Sequence, residues 1–355
     1  MAMKKLNLIG MTLEQMEQFF ESIGQPKYRA AQLFNWIYKR RIAGIDDMTN
    51  FSRQLRQQLS ESTTIGLVSL EQQVSSSDDQ TIKFLFKLED NFHVESVFMI
   101  EAKRKTVCLS NQVGCPLGCS FCATGKMGFH RDLSAGEIVD QLLAIQRILH
   151  VDVTNIVIMG MGEPFLNYDE VIKACDLISH DKGIAIGKRK ITISTSGIIH
   201  GIKRFADEGQ RYKLAISLNA ADDQIRNEMM PINKKYPLNE LINAAKYYAA
   251  KSRHRITFEY VMIRGVNDSM SDSQKLARLI KGLKCKLNII PYNSIDEKNK
   301  IPSEDQIDAF MRPFLDMNVV VSVRRSKGSD ISAACGQLYY NYKGSNHSIS
   351  GIVTN

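Results

Sequence analysis

Residues 155–170 read NIVIMGMGEPFLNYDE, and this stretch decides the fold. The run 155–161 is rich in β-branched and apolar residues and has the length of one strand. It ends in the glycines Gly160 and Gly162. Asn167 followed by Glu170 is a capping-box pair that opens a helix. One strand, one glycine turn and one capped helix make a βα unit. The unit recurs outward in both directions. Strand-like runs lie at 106–110, 190–195, 213–218, 255–263, 286–291 and 319–323, with helical stretches between most of them. Ser134 with Glu137 caps one of these helices, and Ser303 with Gln306 another. Strands alternating with helices at roughly thirty-residue intervals imply a parallel sheet of βαβ units. Six or seven such units predict an α/β fold built as an open or partial (β/α) barrel rather than a flat doubly wound sheet. In such folds the chemistry sits at the C-terminal ends of the strands.

Ahead of the repeat, residues 1–62 read as a small helical accessory domain. Thr12 with Gln15 caps a helix carrying Met16, Phe19 and Phe20, and further helices are predicted over 28–40 and 52–59. Lys39, Arg40, Arg41, Arg53 and Arg56 make this unit basic, through a solvated face or an RNA grip. Residues 63–100 are connecting strands, including TIKFLFK (81–87) and HVESVFMI (93–100), with a turn-rich break at 75–79. The barrel is assigned to 101–340 and a tail to 341–355.

The chain has 355 residues, 44% hydrophobic and 24% charged, which excludes a disordered protein. No apolar run approaches the roughly 18 residues of a membrane-spanning helix, and the apolar stretch near the N-terminus is shorter than a secretory signal requires. Seven cysteines, an odd number, argue against a disulfide framework. These features predict a cytoplasmic protein without a membrane partner. The net charge of +8 permits a nucleic-acid partner without requiring one.

Cys108, Cys115, Cys119 and Cys122 fall within one short segment. Cys115-Pro-Leu-Gly-Cys119-Ser-Phe-Cys122 has CxxxCxxC spacing directly after the run at 106–110. Three thiolates this close can wrap one soft metal centre. Zinc would want a fourth ligand from a second short-spaced motif, and His130 is isolated. Three ligands on a 4Fe-4S cluster leave one iron open, the arrangement by which radical S-adenosylmethionine (SAM) enzymes chelate SAM and cleave it to a 5′-deoxyadenosyl radical. Zinc and inert buried cysteines are the alternatives. One βα unit later, Gly162 and Glu163 offer a close backbone approach and a carboxylate for the SAM amino group. Ser194, Ser217, Leu218, Asn219 and Asn293 end later strands and are candidate contacts to the ribose, adenine and carboxylate of SAM. Cys175 and Cys285 read as small buried hydrophobes.

Taken in order, VESV, CLSNQVGCPLGCSFCATG, NIVIMGMGEPFLN, ITISTSG, LAISLNA, MPINKKYP, VNDS, NIIPYN and DISAACGQL resemble the RlmN/Cfr family of radical SAM RNA adenosine methyltransferases. The resemblance spans nearly the whole chain. It implies a radical SAM partial barrel and two SAM per turnover, with Cys115, Cys119 and Cys122 on the cluster. It also implies that Cys335 carries the methyl group, that Cys108 resolves the adduct through a transient disulfide with Cys335, and that Glu95 is the proton acceptor. The implied substrates are an adenosine of 23S rRNA at the peptidyl-transferase centre and the adenosine 3′ to the anticodon in some tRNAs. An electron donor such as flavodoxin and a monomeric state complete the expectation. Pro164 and Ser196 point to the branch that methylates carbon 2. The rivals are the carbon-8 branch, which confers antibiotic resistance, and a zinc-bearing RNA-binding protein without catalysis. Asn219 stands where the family pattern leads one to expect histidine.

Overall fold

The computed structural model describes residues 5–78, 80–294, 300–325, 328, 330–333 and 337; Cys335 and the tail 341–355 lie outside these. Among the described residues one ten-stranded sheet organises the chain. Its strands are β1 (Val68–Ser75), β2 (Thr81–Leu88), β3 (His93–Glu101), β4 (Arg104–Cys108), β5 (Asn155–Ile158), β6 (Ile191–Thr195), β7 (Lys213–Ser217), β8 (Ile256–Met262), β9 (Cys285–Pro291) and β10 (Val320–Val323). They lie side by side in chain order. Strands β1 to β4 form an antiparallel meander. From β4 to β10 every pairing is parallel. The expected (β/α) repeat is therefore present, and the strands before it extend the same sheet.

The helices between the parallel strands form because apolar residues recur on one face, and four of them have a side-chain cap on the first turn. Helix α5 (Ala135–Leu149) starts at Ser134 with a complete capping box to Glu137, and α11 (Glu304–Met311) at Ser303 with one to Gln306. The pair at Asn167 and Glu170 does something else. Asn167 makes no cap on α6 (Tyr168–Ser179). Its amide instead donates to the Asn111 and Leu133 carbonyls, both at 2.8 Å. Glu170 accepts from the Ala135 N–H at 2.6 Å. That carboxylate thus sits at the N-terminus of α5, where a negative charge meets the positive end of the helix dipole.

The N-terminal unit contains α1 (Leu13–Ser22), α2 (Tyr28–Phe34) and α3 (Arg53–Ser62). The single helix expected over 28–40 widens into a π-turn over Asn35–Lys39. Trp36, Ile37 and Tyr38 are three consecutive buried side chains, and the wider turn lets all three face inward. The Tyr38 hydroxyl accepts from the Gly10 N–H and donates to the Met11 carbonyl. The unit packs against α5 at a glycine–glycine contact: a Cβ on Gly10 would lie 2.7 Å from the Gly136 Cα. Arg41 adds a charged tie to Asp152 and donates to the Val151 carbonyl at 3.2 Å. Helix α5 is consequently buried along most of its length, and its fully buried Asp140 accepts from the Leu67 and Val68 N–H groups and pairs with Arg147. The hydrophobic residues of the N-terminal unit and of the barrel form one continuous core.

Candidate active site

The loops at the C-terminal ends of β4 to β9 surround a cavity of about 1020 Å³ of empty space. Cys115, Cys119 and Cys122 form one wall, joined by Leu117 and Phe121, and the loop after β5 forms another. The cysteine loop is held at both ends. Its start belongs to a small hairpin of Gln112–Gly114 with Phe129–Asp132, which sequence reading did not anticipate, and the Cys115 N–H donates to the Gly128 carbonyl. At its end, Cys122 precedes the short helix α4 (Ala123–Lys126). Burial pushes the Cys115 thiol up to about 12, and pushes Cys119 well above its ordinary value, aided by neighbouring Cys122. Metal loading must therefore displace these protons.

Glu163 is almost fully buried, and burial raises its carboxyl above the usual range. One carboxylate oxygen accepts from the Phe165 N–H at 3.0 Å and the other from the Ser196 N–H at 2.7 Å. These bonds oppose the desolvation without cancelling it. The Thr195 and Ser196 side chains also hydrogen-bond to it, so the buried carboxylate is fixed by partners at the end of β6. The loop's path depends on Gly162, at φ +107°: a Cβ there would lie 2.6 Å from the Gln112 Cβ. Gln112 in turn accepts from the Glu163 N–H and donates to Asp132.

Ser194, Ser217, Asn219 and Asn293 all line the cavity with Gly162 and Glu163. Leu218 does not; its side chain lies in the core, its N–H donates to the Glu259 carbonyl and its own carbonyl accepts from Arg226. Asn219 adopts a left-handed conformation, φ +59°, which asparagine tolerates well. Its side-chain oxygen accepts from the Val261 N–H and its amide faces the Met230 sulfur. The side chain is therefore committed to the neighbouring strand.

Two buried groups at this site escaped sequence reading. Arg226, fully buried, donates to the carbonyls of Ser196, Ser217 and Leu218 and to the Asn233 side chain, so one guanidinium ties together the ends of β6 and β7. Glu259 accepts from Asn288 at 3.0 Å, while its other oxygen is buried without a hydrogen-bond partner. In register, Ser217, Glu259, Asn288 and Ser322 form a polar row across four parallel strands. Each is a single polar residue in an apolar run, and only the strand register brings the four together.

A second cavity, about 1820 Å³, shares Cys122, Thr124, Met159 and Gly160 with the first and continues to Cys108 and Ala333. Cys108 ends β4, buried, opposite Val97 on β3 and Val157 on β5. Glu95 lies on β3, two residues from Val97 and thus on the same face, and forms an ion pair with Lys83 at 3.3 Å. Described residues on both sides of Cys335 are anchored: the Ala333 N–H donates to Gly328, and Gln337 donates to the Ser294 carbonyl. Cys175 and Cys285 are buried away from both cavities.

Residues 6–65 match the family described as ribosomal RNA large subunit methyltransferase N-terminal domain, and residues 110–277 match the radical SAM superfamily. The chain is 46% identical over 337 residues to the “Probable dual-specificity RNA methyltransferase RlmN” of Thermoanaerobacter sp. (strain X514), covering 95% of this chain and 98% of that one. The chain belongs to the RlmN family of radical SAM RNA methyltransferases. A Staphylococcus carnosus relative of the same name is 44% identical over 340 residues, covering 94% of this chain and 93% of its own. The crystal structure of a radical SAM methyltransferase from Sphaerobacter thermophilus superposes with a TM-score of 0.90 at 42% identity, covering 94% of this chain and 98% of that chain.

The radical SAM family implies a 4Fe-4S cluster and SAM. The donor chemistry fits both: three thiols and a buried carboxylate border one cavity. Among the described residues no three His, Cys, Asp or Glu side chains converge on one ion position. Cys115, Cys119 and Cys122 would each hold a different iron of such a cluster, so they need not converge on one position. No helix of the described residues is long and apolar enough to cross a membrane.

Proposed function

We propose that this chain methylates carbon 2 of an adenosine in 23S rRNA, and of the adenosine 3′ to the anticodon in some tRNAs, through a methylated cysteine and a transient disulfide. The observation that carries the reading is the continuity of the two cavities. The cysteine loop, Glu163, Cys108 and the segment ending at Ala333 border one connected space, and Cys335 follows Ala333 by two residues, a reach of about 7 Å.

Cys115, Cys119 and Cys122 would hold the cluster. Glu163, with the backbone of Gly162, would hold the amino end of SAM, and Ser194, Ser217, Asn219 and Asn293 the rest of it, with Leu218 anchored in the core between Ser217 and Asn219. When bound, the cluster and SAM supply the 5′-deoxyadenosyl radical that removes a hydrogen atom from the S-methyl group. Cys335 acts first as the nucleophile that accepts the methyl group. It then tethers the RNA through the methylene joined to carbon 2; the adduct radical gives up one electron to the oxidised form of the electron carrier, and Glu95 takes the proton from that carbon. The Cys108 thiolate attacks the Cys335 sulfur, so that an S–S bond forms as the bond from sulfur to the transferred carbon breaks; that carbon keeps the electron pair and takes up a proton to become the methyl group, and a thiol reductant reopens the disulfide. The target base must leave its stack to reach this buried space. An electron donor of the flavodoxin class, a monomeric state and a cytoplasmic setting belong to the same proposal. The relatives' printed name and the ribosomal-RNA family matched at 6–65 support the RNA substrates; Pro164 and Ser196 support carbon 2.

The test contrasts two cysteines. Cys335→Ala should keep iron yet accept no methyl group and form no RNA adduct. Cys108→Ala should accumulate a covalent enzyme–RNA complex, seen as an RNase-sensitive shifted band on a denaturing gel. Equal behaviour of the two variants, or normal turnover of Cys108→Ala, overturns the two-cysteine reading.

A further inference from the structure

The structure assigns Lys83 as the positioning residue that holds the Glu95 carboxylate against the segment leading to Cys335. The inference rests on the proposed roles of Glu95 and Cys335 and adds a residue to them. Lys83 is opposite Val97 in the β2–β3 register, and Val97 is opposite Cys108 in the β3–β4 register. Residues directly across a sheet share a face, as do residues two apart along a strand. Lys83, Glu95 and Cys108 therefore project from one face of three adjacent strands. Two described residues meet this face: Ser332 accepts from Lys83, and Ala333 lines the second cavity with Cys108.

The Lys83 Nζ lies 3.3 Å from a Glu95 carboxylate oxygen and donates to the Ser332 carbonyl at 3.5 Å. The side chains are only 12% and 3% exposed. A lysine in a strand of the meander would ordinarily reach water. Here one ammonium, with three donors, is placed between the proton acceptor and the backbone three residues before the methyl carrier. A buried ion pair constrains both partners far more than an exposed one.

The step it serves is a proton transfer. The carbon 2 C–H bond of the tethered adenine breaks, its electron pair stays on the ring, and an O–H bond forms on Glu95, which becomes a neutral acid. An ammonium fixed at both the carboxylate and the loop sets the distance between the accepting oxygen and the tethered carbon. A misplacement of about 1 Å in such a geometry costs on the order of a hundredfold in rate.

The experiment compares Lys83→Met, Lys83→Arg and Glu95→Gln in anaerobically reconstituted protein with the 23S rRNA fragment and SAM. Iron content, S-methylation of Cys335 by peptide mass spectrometry, the RNA adduct on a denaturing gel and released methyladenosine are measured for each. Lys83→Met should keep iron and the methyl on Cys335, release methyladenosine about a hundredfold more slowly, and accumulate RNA adduct although Cys108 is intact. Lys83→Arg, which keeps the charge, should recover most of the turnover. If Glu95→Gln turns over normally, the reading of Glu95 itself fails, and Lys83 loses its role with it. If Glu95→Gln stalls while Lys83→Met turns over like the parent, the assignment of Lys83 alone fails. Loss of iron or of Cys335 methylation in both Lys83 variants would reduce the residue to a packing role and also overturn the assignment.

Discussion

Replacing Arg226 by methionine removes a charge of similar length without opening a large void. Four hydrogen bonds disappear with it: to the Leu218 carbonyl at 2.9 Å, the Ser217 carbonyl at 3.2 Å, the Ser196 carbonyl at 2.8 Å and the Asn233 side chain at 2.8 Å. Bonds to a charged group contribute about 1.5–3 kcal/mol each. The Leu218 carbonyl keeps the Ala220 N–H, and the variant escapes the several kcal/mol of guanidinium desolvation. That desolvation is visible in the Arg226 pKa, which burial pulls down to about 10 while leaving the group charged at neutral pH. The net loss is on the order of 4 kcal/mol, which for a chain of this size lowers the melting temperature by about 5 °C. The assay is thermal unfolding followed by far-ultraviolet circular dichroism and by fluorescence of Trp36, the one tryptophan, buried in the N-terminal unit. Because the two regions share one core, both signals should fall together in parent and variant. SAM affinity should also drop, since Ser196 and Ser217 line the cavity. Arg226→Lys should lie between the two. A melting temperature for Arg226→Met within about 1 °C of the parent, which is under 1 kcal/mol, would show that the guanidinium does not hold the strand ends together.

Changing any one of Cys115, Cys119 or Cys122 to Ala should abolish iron retention and methylation, because two thiolates hold a cluster loosely; iron analysis beside nucleoside analysis checks this, and full activity in any variant refutes the ligand set. Neutralising Arg40 and Arg53 should flatten the salt dependence of RNA binding, whereas Arg41→Ala should lower the melting temperature, because that guanidinium ties the N-terminal unit to Val151 and Asp152; an unchanged salt slope for the first pair marks them as solvated charges. Burial holds Glu163 and Glu259 above the ordinary 4.5 in the ligand-free protein, so the folded state keeps protons that the unfolded chain releases. Their contribution to stability is therefore full below about pH 4.5 and falls as pH rises through their folded values. The double variant Glu163→Gln, Glu259→Gln should show a shallower fall in melting temperature over that range than the parent, and parallel curves refute the attribution.

The barrel was legible because its strands are dense in β-branched residues and its helices start at capping pairs. The boxes at Thr12, Ser134 and Ser303 all form. The pair at Asn167 and Glu170 has the same spelling, yet both side chains serve other segments. A local pattern cannot reveal which long-range partner competes for a side chain. The π-turn at Asn35–Lys39 was hidden for the same reason: it answers to the packing of Tyr38 on Gly10 and Met11. That the cysteine loop and the Gly162–Glu163 turn meet at one cavity was readable because each directly follows a barrel strand. Arg226, Glu259, Gln112 and Lys83 were not, because each is one polar residue whose role exists only through contacts far along the chain. Of the basic residues read as a solvated face or an RNA grip, Arg41 is already paired with Asp152.

Nucleoside mass spectrometry of a 23S rRNA fragment, after incubation with the anaerobically reconstituted protein, SAM and a reductant, tests the central claim most directly. Digested RNA should contain 2-methyladenosine, matched to an authentic standard, and the signal should vanish with Cys335→Ala. Recovery of 8-methyladenosine, or of no methylated adenosine from protein that retains its iron, would contradict the account.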